Sequence, residues 1–334
     1  MHATLNALLA SGAPAAPAIR APGRPALSYA GLRELSAATI ARLNGLGIGR
    51  NDRIAIVLPN GPEMAAAFIA IGAGATTAPL NPSYRADEFN FYLTDLKAKA
   101  LVVQKGIPTE ARDVAAKLGV AVLELVPGEN AGSFTLEGGS PAKPAQPGAA
   151  EAGDIALVLH TSGTTARPKI VPLSQANICT SARHIGATLS LSPADACLNI
   201  MPLFHIHGLI AAVLSSLGAG GAVICTSGFD ALRFFRLLDE ERPSWYTAVP
   251  TMHQTILTRA DRNAEIIARA KLRFIRSSSA SLPGPVMEQL EAVFGCPLVE
   301  SYGMTEASHQ MASNPLAGPR KPGAVGRAAG PEGA

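Results

Sequence analysis

A short hydroxyl-rich segment contains the residue types best suited to binding an anion. Its members are Thr161, Ser162, Gly163, Thr164, Thr165 and, four residues later, Lys169. Hydroxyls and backbone N–H groups donate hydrogen bonds to phosphate oxygens, glycine permits close approach, and lysine neutralises charge. The spacing G-x-x-x-x-G-K-[ST] of P-loop NTPases is absent. Composition alone therefore leaves two interpretations open, a polyphosphate-binding loop and a solvated Ser/Thr turn.

Four segments, taken together, resemble the motifs of the adenylate-forming superfamily, which includes the acyl-CoA synthetases. The hydroxyl-rich segment resembles its phosphate-binding signature, and three further segments follow in the order of that family. These are residues 201–208 (MPLFHIHG), an aromatic/histidine motif; residues 276–282 (RSSSASL), an adenine loop; and residues 301–306 (SYGMTE), a Tyr-Gly-x-Thr-Glu motif. Ala166 and Ile170 depart from the pattern, because many members have glycine there. The resemblance implies the α/β fold of the family's large domain.

The resemblance also implies roles for single residues. The β- and γ-phosphates of ATP would contact Thr161, Ser162, Gly163, Thr164, Thr165 and Lys169. The adenine and its surroundings would contact Ser279, Ala280, Ser281, Ser301, Tyr302, Gly303 and Met304, with Tyr302 stacked on the base. Thr305 would contact the α-phosphate, and Glu306 would bind Mg²⁺, a cation that prefers carboxylate oxygen. Without the family, Tyr302 is a core or turn aromatic and Glu306 a helix-start acid.

Histidines are the candidates for the acid pocket. His205 and His207 form an H-x-H pair, but no third His or Cys follows at ligand spacing, which disfavours a metal. In the family, the position of His205 lines the carboxylate pocket. The resemblance therefore implies that His205, together with Lys169, Thr305 and Glu306, is a catalytic residue. For His207 the sequence favours packing at a helix start.

The acid itself is suggested by a run near the end of the chain. Residues 304–315, followed by residues 321–326, look closer to the oxalate–CoA ligase branch than to the fatty-acid members. A second carboxylate needs polar partners, since burial of an unpaired charge is very costly. His205, Ser279 and His309 would supply them; the alternative for His309 is an exposed helix residue.

The implied function is an ATP-dependent acid–CoA ligase for a small dicarboxylic acid such as oxalate. The acid and ATP would give acyl-AMP and pyrophosphate, after which CoA would take the acyl group. The chain ends soon after Gly326, before the family's Thr-Gly-Asp segment, hinge arginine and C-terminal lysine. The sequence therefore predicts an N-terminal fragment, without the distal barrel and the C-terminal domain, whose full turnover is impaired or lost. The alternatives are a non-catalytic nucleotide- or acid-binding relative and, less favoured, a kinase-like phosphotransferase.

Composition limits the other classes of function. The 334 residues include 28 basic and 25 acidic side chains, a net charge of +3 without a basic stripe, which disfavours nucleic-acid binding. Four cysteines without a C-x-x-C pair and an N-terminus without a signal peptide predict reduced thiols and a cytoplasmic location. The apolar residues 208–225 are interrupted by glycines, which favours a buried helix, turn and strand over a membrane span.

The elements that position these residues alternate along the chain. Short branched-apolar runs alternate with helical periods, which predicts an α/β fold of two doubly wound, mainly parallel lobes, residues 1–150 and 151–334. Predicted strands cover residues 53–58, 100–103, 120–126, 155–160, 196–201, 222–225, 244–249, 272–276 and 297–301. Predicted helices cover residues 63–73, 85–96, 109–118, 209–217, 229–241, 251–259 and 283–294, with another starting at Ser174. Asn60 is expected to cap the first of these helices, and the Pro/Gly-rich residues 127–150 are expected to form an exposed connector.

Overall fold

The computed structural model describes residues 3–161 and 168–330. The predictions for Ser162, Gly163, Thr164 and Thr165 lie outside these residues. The strands are β1 (Pro17–Ala21), β2 (Arg24–Ser28), β3 (Arg53–Val57), β4 (Thr76–Pro79), β5 (Ala100–Gln104), β6 (Ala121–Pro127), β7 (Phe134–Glu137), β8 (Ile155–Thr161), β9 (Lys169–Ser174), β10 (Ala196–Asn199), β11 (Ala222–Cys225), β12 (Trp245–Ala248), β13 (Phe274–Ser277), β14 (Leu298–Met304), β15 (His309–Ser313) and β16 (Arg327–Ala328). The α-helices are α1 (Leu5–Leu8), α2 (Tyr29–Gly45), α3 (Pro62–Gly72), α4 (Ala86–Leu96), α5 (Ala111–Leu118), α6 (Gln175–Thr188), α7 (Ser215–Gly218), α8 (Phe234–Glu241), α9 (Pro250–Leu257), α10 (Ala264–Arg269) and α11 (Gly284–Phe294).

Two mainly parallel sheets confirm the predicted fold class. One has seven strands in the order β7-β6-β5-β3-β4-β8-β9, and the other has nine in the order β16-β15-β14-β13-β12-β10-β11-β1-β2. Strands β1 and β2 join the second sheet beside β11, where Ile19 pairs with Val223, whereas β8 and β9 join the first. Each sheet therefore contains strands from both sides of residue 150. The division into lobes at that residue stays a prediction about domains.

Helix α3 forms the apolar layer between the sheets. Every residue from Glu63 to Gly72 is buried, and the helix packs against β4 of one sheet and against β1 and β11 of the other. A helix that is apolar on all sides needs such a doubly covered position. The Ala-rich sequence PEMAAAFIAIG suits it, since small side chains allow close approach from both sides.

Asn60 does not cap α3, contrary to the prediction. The N-cap is Gly61, which makes no side-chain cap hydrogen bond. Asn60 instead donates from Nδ2 to the carbonyl of Thr226 at 3.0 Å and accepts from the N–H of Leu203 at 2.8 Å. The amide side chain is used between the sheets because it has both a donor and an acceptor, and it ties the loop before α3 to two loops of the second sheet.

The predicted connector is wrong in one part. Within residues 127–150, β7 pairs antiparallel with β6, and Phe134 and Leu136 are buried. The four-residue strand is too short to give a hydrophobic period among so many Pro and Gly residues. The predicted strand of residues 196–201 ends earlier, at Asn199, because the Asn199 side chain accepts from the N–H of Met201 and turns the chain.

The apolar residues 208–225 lie within the core. A π-helix spans His207–Leu214, α7 continues it, and β11 follows the glycine turn. This order confirms the predicted helix, turn and strand. Among the described residues, no helix combines the length and the apolar character needed to cross a bilayer.

Tyr29 joins the start of α2 to the turn between α7 and β11. It is fully buried, and its hydroxyl lies 3.0 Å from the carbonyl of Leu217 and 2.7 Å from that of Gly221. We expect Tyr29→Phe to lower the free energy of unfolding by about 1–3 kcal/mol, because it removes the hydroxyl that donates to this pair of buried carbonyls. Urea denaturation measures this change. Tyr302→Phe, at a side chain that is 52% exposed, is the matched control and should change the free energy by less than about 0.5 kcal/mol.

Candidate nucleotide and acid site

The carboxyl ends of β13 and β14 bring two of the predicted nucleotide segments together. The strands are parallel neighbours, with Ser277 paired with Glu300. Ser278 donates from Oγ to the carbonyl of Ser301 at 3.0 Å, which ties the loop after β13 to β14. Ligands of open parallel sheets bind at this edge. The exposed side chains there are Ser279, Ala280, Ser281 and Tyr302, and Met304 is 40% exposed at the end of β14.

The two sheets meet where the phosphate segment is predicted. Lys169 begins β9 and pairs with Thr161 at the end of β8. The 3₁₀ turn Thr305–Ala307, which contains Thr305 and Glu306, lies against β9. Lys169 and Glu306 are both exposed. A cation and a carboxylate from different sheets therefore border one region of the surface.

Glu306 fits the requirements of a magnesium ligand. Its carboxylate is exposed and forms no ion pair with any residue in the described ranges. Mg²⁺ is a hard cation that binds through one or two carboxylates and keeps several waters. Groups of three or more His, Cys, Asp or Glu able to hold a metal are absent from the described parts of the chain, and His205 and His207 belong to none. A single carboxylate therefore suits Mg²⁺ bound together with a phosphate.

A polar cluster, buried except for its exposed member Ser279, lies at the loop that follows β13. Its members, called the Arg276 cluster below, are His207, Thr247, Arg276, Ser279, His309 and Gln310. Arg276 contacts Nε2 of His207 through Nη1 and Nε2 of His309 through Nη2, both at 3.2 Å. The two imidazole rings stack with centroids 5.2 Å apart. Strand β13, the start of the π-helix and strand β15 thus contribute to one cluster.

The charge of the Arg276 cluster is unusual for a protein interior. Arg276 is fully buried, yet within residues 3–161 and 168–330 no carboxylate forms an ion pair with it, and its Nε has no hydrogen-bond partner. Burial lowers the pKa of its guanidinium to about 9. Burial, and after it the charge of Arg276, holds the pKa values of His207 and His309 well below the ordinary value. Both imidazoles are therefore neutral acceptors for a buried cation at neutral pH.

The structure connects two of the three residues predicted for the acid pocket. Nδ1 of His207 lies 3.0 Å from Oγ of Ser279, and His207 stacks on His309. The alternative of an exposed helix residue is wrong for His309, which is 2% exposed in β15. His205 is exposed and packs on Phe204, with ring centroids 4.6 Å apart.

Sequence reasoning missed three members of the cluster. His207 does begin a helix, as expected, but packing is only part of its role. Arg276, Thr247 and Gln310 received no site role. One signal was available for Arg276, since a charged residue in a predicted buried strand requires polar partners. Thr247 and Gln310 become partners only through strand pairing.

Backbone geometry at the cluster is constrained. Ser279 has a φ of 73° and His309 a φ of 102°, values in the left-handed region that favours glycine. Gly303 pairs with Gln310 next to a register shift, and a Cβ at Gly303 would lie 1.6 Å from the carbonyl oxygen of His309. A glycine is therefore required for β15 to approach β14 and bring His309 into the cluster.

Comparison with known proteins identifies the family of the chain. A family model described as AMP-binding enzyme matches residues 9–332. The chain belongs to the AMP-binding enzyme family. It is 44% identical over 294 residues to the oxalate–CoA ligase of Arabidopsis thaliana, covering 86% of this chain and 57% of that protein. It is 39% identical over 307 residues to the oxalate–CoA ligase of Saccharomyces cerevisiae, covering 84% of this chain and 56% of that protein. This member of the family thus spans little more than half the length of these relatives.

A solved structure shows the same fold. The crystal structure of ATP-bound MatB from Rhodopseudomonas palustris superimposes with a TM-score of 0.83 at 29% identity, covering 98% of this chain and 65% of that one. The two-sheet architecture described above is therefore that of the AMP-binding family.

We expect Gly303→Ala to lower the free energy of unfolding by about 1–3 kcal/mol, because the added methyl group would overlap the backbone of His309. Chemical denaturation followed by circular dichroism measures the change. Gly45→Ala is the matched control. Gly45 is the last residue of α2, and no atom lies within 4 Å of the position of the new Cβ. The substitution should leave the free energy of unfolding unchanged or raise it by up to about 1 kcal/mol. Equal unfolding free energies for the two variants would contradict the close approach of β15.

Proposed function

We propose that the protein is an ATP-dependent acid–CoA ligase of the AMP-forming type whose acid is a small dicarboxylate such as oxalate. The observation that carries the proposal is the Arg276 cluster. A buried guanidinium without a carboxylate partner in the described ranges is costly unless an anion compensates it. The relatives named oxalate–CoA ligase support the choice of acid.

The nucleotide has its proposed position at the edge formed by β13 and β14. Ser279, Ala280, Ser281 and Tyr302 would line the adenine, and Ser301, Gly303 and Met304 belong to the same segment. Lys169 would neutralise the phosphates together with Thr161, Ser162, Gly163, Thr164 and Thr165, and Thr305 would contact the α-phosphate. The exposure of Tyr302 and Lys169 supports contact with a ligand that binds from solvent.

The proposed chemistry requires positioning and charge neutralisation rather than a protein nucleophile. The acid's carboxylate attacks the α-phosphorus of ATP and pyrophosphate leaves; the CoA thiol then takes the acyl group and AMP leaves. Lys169 and the hydroxyl donors would stabilise charge on the phosphates. Mg²⁺, held by Glu306, would neutralise the phosphates when bound. His205, an exposed residue of the aromatic/histidine motif, would lie beside the reacting carboxylate.

We infer the class of acid from the polarity of the Arg276 cluster. A long-chain acid needs an apolar tunnel, and buried imidazoles and a guanidinium are costly neighbours for its chain. A small dicarboxylate offers two anionic ends, one for adenylation and one for polar groups of the pocket. Ser279 and His309 would hold the second end. The four free, buried cysteines support the further proposal of a reducing, cytoplasmic location.

ATP–pyrophosphate exchange tests the first half-reaction. We expect exchange of labelled pyrophosphate into ATP that depends on oxalate and Mg²⁺. Lys169→Ala should lower the exchange rate about 10- to 100-fold, the effect of losing a charge-assisted contact. Lys117 is an exposed lysine on α5, and Lys117→Ala is the matched control. This variant should catalyse exchange at the rate of the wild-type protein.

Two results would reject the proposal. Retained ATP binding without exchange for oxalate or any other short acid would instead favour a non-catalytic nucleotide-binding relative. Release of ADP in place of AMP would indicate a kinase-like phosphotransferase. Equal exchange in Lys169→Ala and Lys117→Ala would remove Lys169 from the phosphate site.

We expect His309→Ala to impair the use of oxalate more than that of acetate, because acetate has no second carboxylate. The KM for oxalate should rise about 10- to 100-fold, the loss of one hydrogen bond to a charged group, with a smaller change for acetate. His309→Gln, which keeps a donor, should recover part of the loss. Equal effects on both acids would show that His309 supports the fold alone.

A further inference from the structure

Arg276 can only donate hydrogen bonds, and this fixes the roles of its neighbours. A guanidinium has five N–H donors and no acceptor. Nη1 contacts Nε2 of His207 at 3.2 Å and Oγ1 of Thr247 at 3.4 Å, while Nη2 contacts Nε2 of His309 at 3.2 Å. Each contacted atom must therefore accept. An imidazole Nε2 that accepts has no proton, so a neutral ring must have its proton on Nδ1.

The hydroxyl of Thr247 is compatible with the same direction. Its Oγ1 lies 2.6 Å from Nε2 of His207 while it also accepts from Arg276. Since Nε2 has no proton, Thr247 uses its own hydrogen to donate to His207. Both contacts to Nε2 of His207 thus come from donors, which share its single lone pair, with Thr247 at the shorter distance.

Gln310 gives an independent check of this polarity on the other side of Arg276. Its Nε2 lies 3.1 Å from Oγ1 of Thr188 and 3.0 Å from the carbonyl of Ala329. Thr188 already donates to the carbonyl of His184, so its oxygen accepts from Gln310. The amide nitrogen of Gln310 is therefore fixed, and its Oε1 is the atom left to accept from Nη2 of Arg276 at 3.4 Å.

The chain of hydrogen bonds ends at the exposed Ser279. Nδ1 of His207 lies 3.0 Å from Oγ of Ser279, and because Nδ1 carries the proton, Ser279 accepts. Its own hydroxyl hydrogen then has no partner within the described residues. The Nδ1–H of His309 likewise makes no hydrogen bond to another described residue. The cluster therefore leaves two hydrogen-bond donors unused, the hydroxyl hydrogen of Ser279 and the Nδ1–H of His309, beside one remaining lone pair on Ser279 Oγ.

We propose that Arg276 is a positioning residue: by orienting Thr247, His207 and His309 it fixes both histidines as Nδ1–H tautomers, so that Ser279 Oγ–H faces the acid site as a donor. The acid class that this arrangement selects rests on the proposed function. A carboxylate end only accepts, so a wall of donors favours it. A hydroxyl or amide end gains less, because it has no negative charge and its own donor finds only the remaining lone pair of Ser279 Oγ.

Nitrogen-15 NMR of the imidazoles tests the tautomers without requiring activity. In protein labelled with ¹⁵N-histidine at neutral pH, two-bond ¹⁵N–¹H spectra distinguish the protonated nitrogen of each ring. Single variants His207→Gln and His309→Gln assign the signals. We expect both rings to be neutral with Nδ1 protonated, the opposite of the tautomer that predominates in free histidine side chains. A protonated Nε2 or a cationic ring at either position in the wild-type protein would overturn the inference.

Variants of Arg276 add a second measurement. Arg276→Met removes all donors, so we expect His309 to gain the Nε2–H tautomer, whereas Arg276→Lys, which also only donates, should retain Nδ1–H. Arg262→Met, at an exposed arginine, is the control and should leave both rings unaltered. An unchanged tautomer of His309 in a folded Arg276→Met variant would overturn the inference, and if that variant does not fold, the wild-type spectrum decides.

Exchange kinetics distinguish this inference from the proposed function. Where oxalate supports exchange, Arg276→Met should raise the KM for oxalate about 10- to 100-fold with a smaller change in kcat. Arg276→Lys should raise the KM for oxalate less than Arg276→Met does. An unchanged KM in Arg276→Met would count against the role of Arg276. Absence of exchange in the wild-type protein would count against the proposed function alone, since the tautomers are observed independently.

Discussion

The burial of a guanidinium on a central strand is the constraint on which the candidate site depends. Arg276 lies on β13, where its charge cannot reach solvent and where its side chain can only donate. The surrounding groups must therefore be acceptors, and in the described chain they are imidazoles, a hydroxyl and an amide rather than carboxylates. A carboxylate partner would neutralise the site. Neutral acceptors satisfy hydrogen bonds while leaving the positive charge uncompensated, and so keep the region attractive to an anion.

The acceptors come from elements that are distant in the sequence, and the fold explains how they meet. Strand β12 contributes Thr247 beside β13, the π-helix contributes His207 from the adjoining helical layer, and β15 contributes His309 after the chain turns back along β14. The π-helix begins at His207 itself. Helices of this kind are rare and concentrate at functional sites. The apolar remainder of that helix is fully buried, so its first residue is held in a fixed position by the core.

The sequence predicted the parts of the fold whose residues identify themselves locally. Residues 222–225 form a strand as expected, because four consecutive buried positions need no partner to be recognised. Strands β1 and β2 could not be found, since the sequences PAIRA and RPALS lack a period; β1 acquires its role by pairing with β11, far along the chain, and β2 by pairing with β1. The site divides in the same way. Motifs marked Ser279 and His309, whereas Thr247 and Gln310 enter only through the register of neighbouring strands.

Backbone strain supports the view that residue types in the proposed acid site are set by chemistry. A non-glycine residue with positive φ costs about 1–3 kcal/mol and persists where the surrounding structure holds it. Ser279 and His309 both have positive φ and are both linked to Arg276, Ser279 through His207. Glycine would relieve the strain at either position but would remove the hydroxyl or the imidazole. At Gly303 the opposite choice is made, because no side chain fits against the backbone of His309. Glycine therefore stands where space requires it, and strained polar residues stand where an acid would need donors.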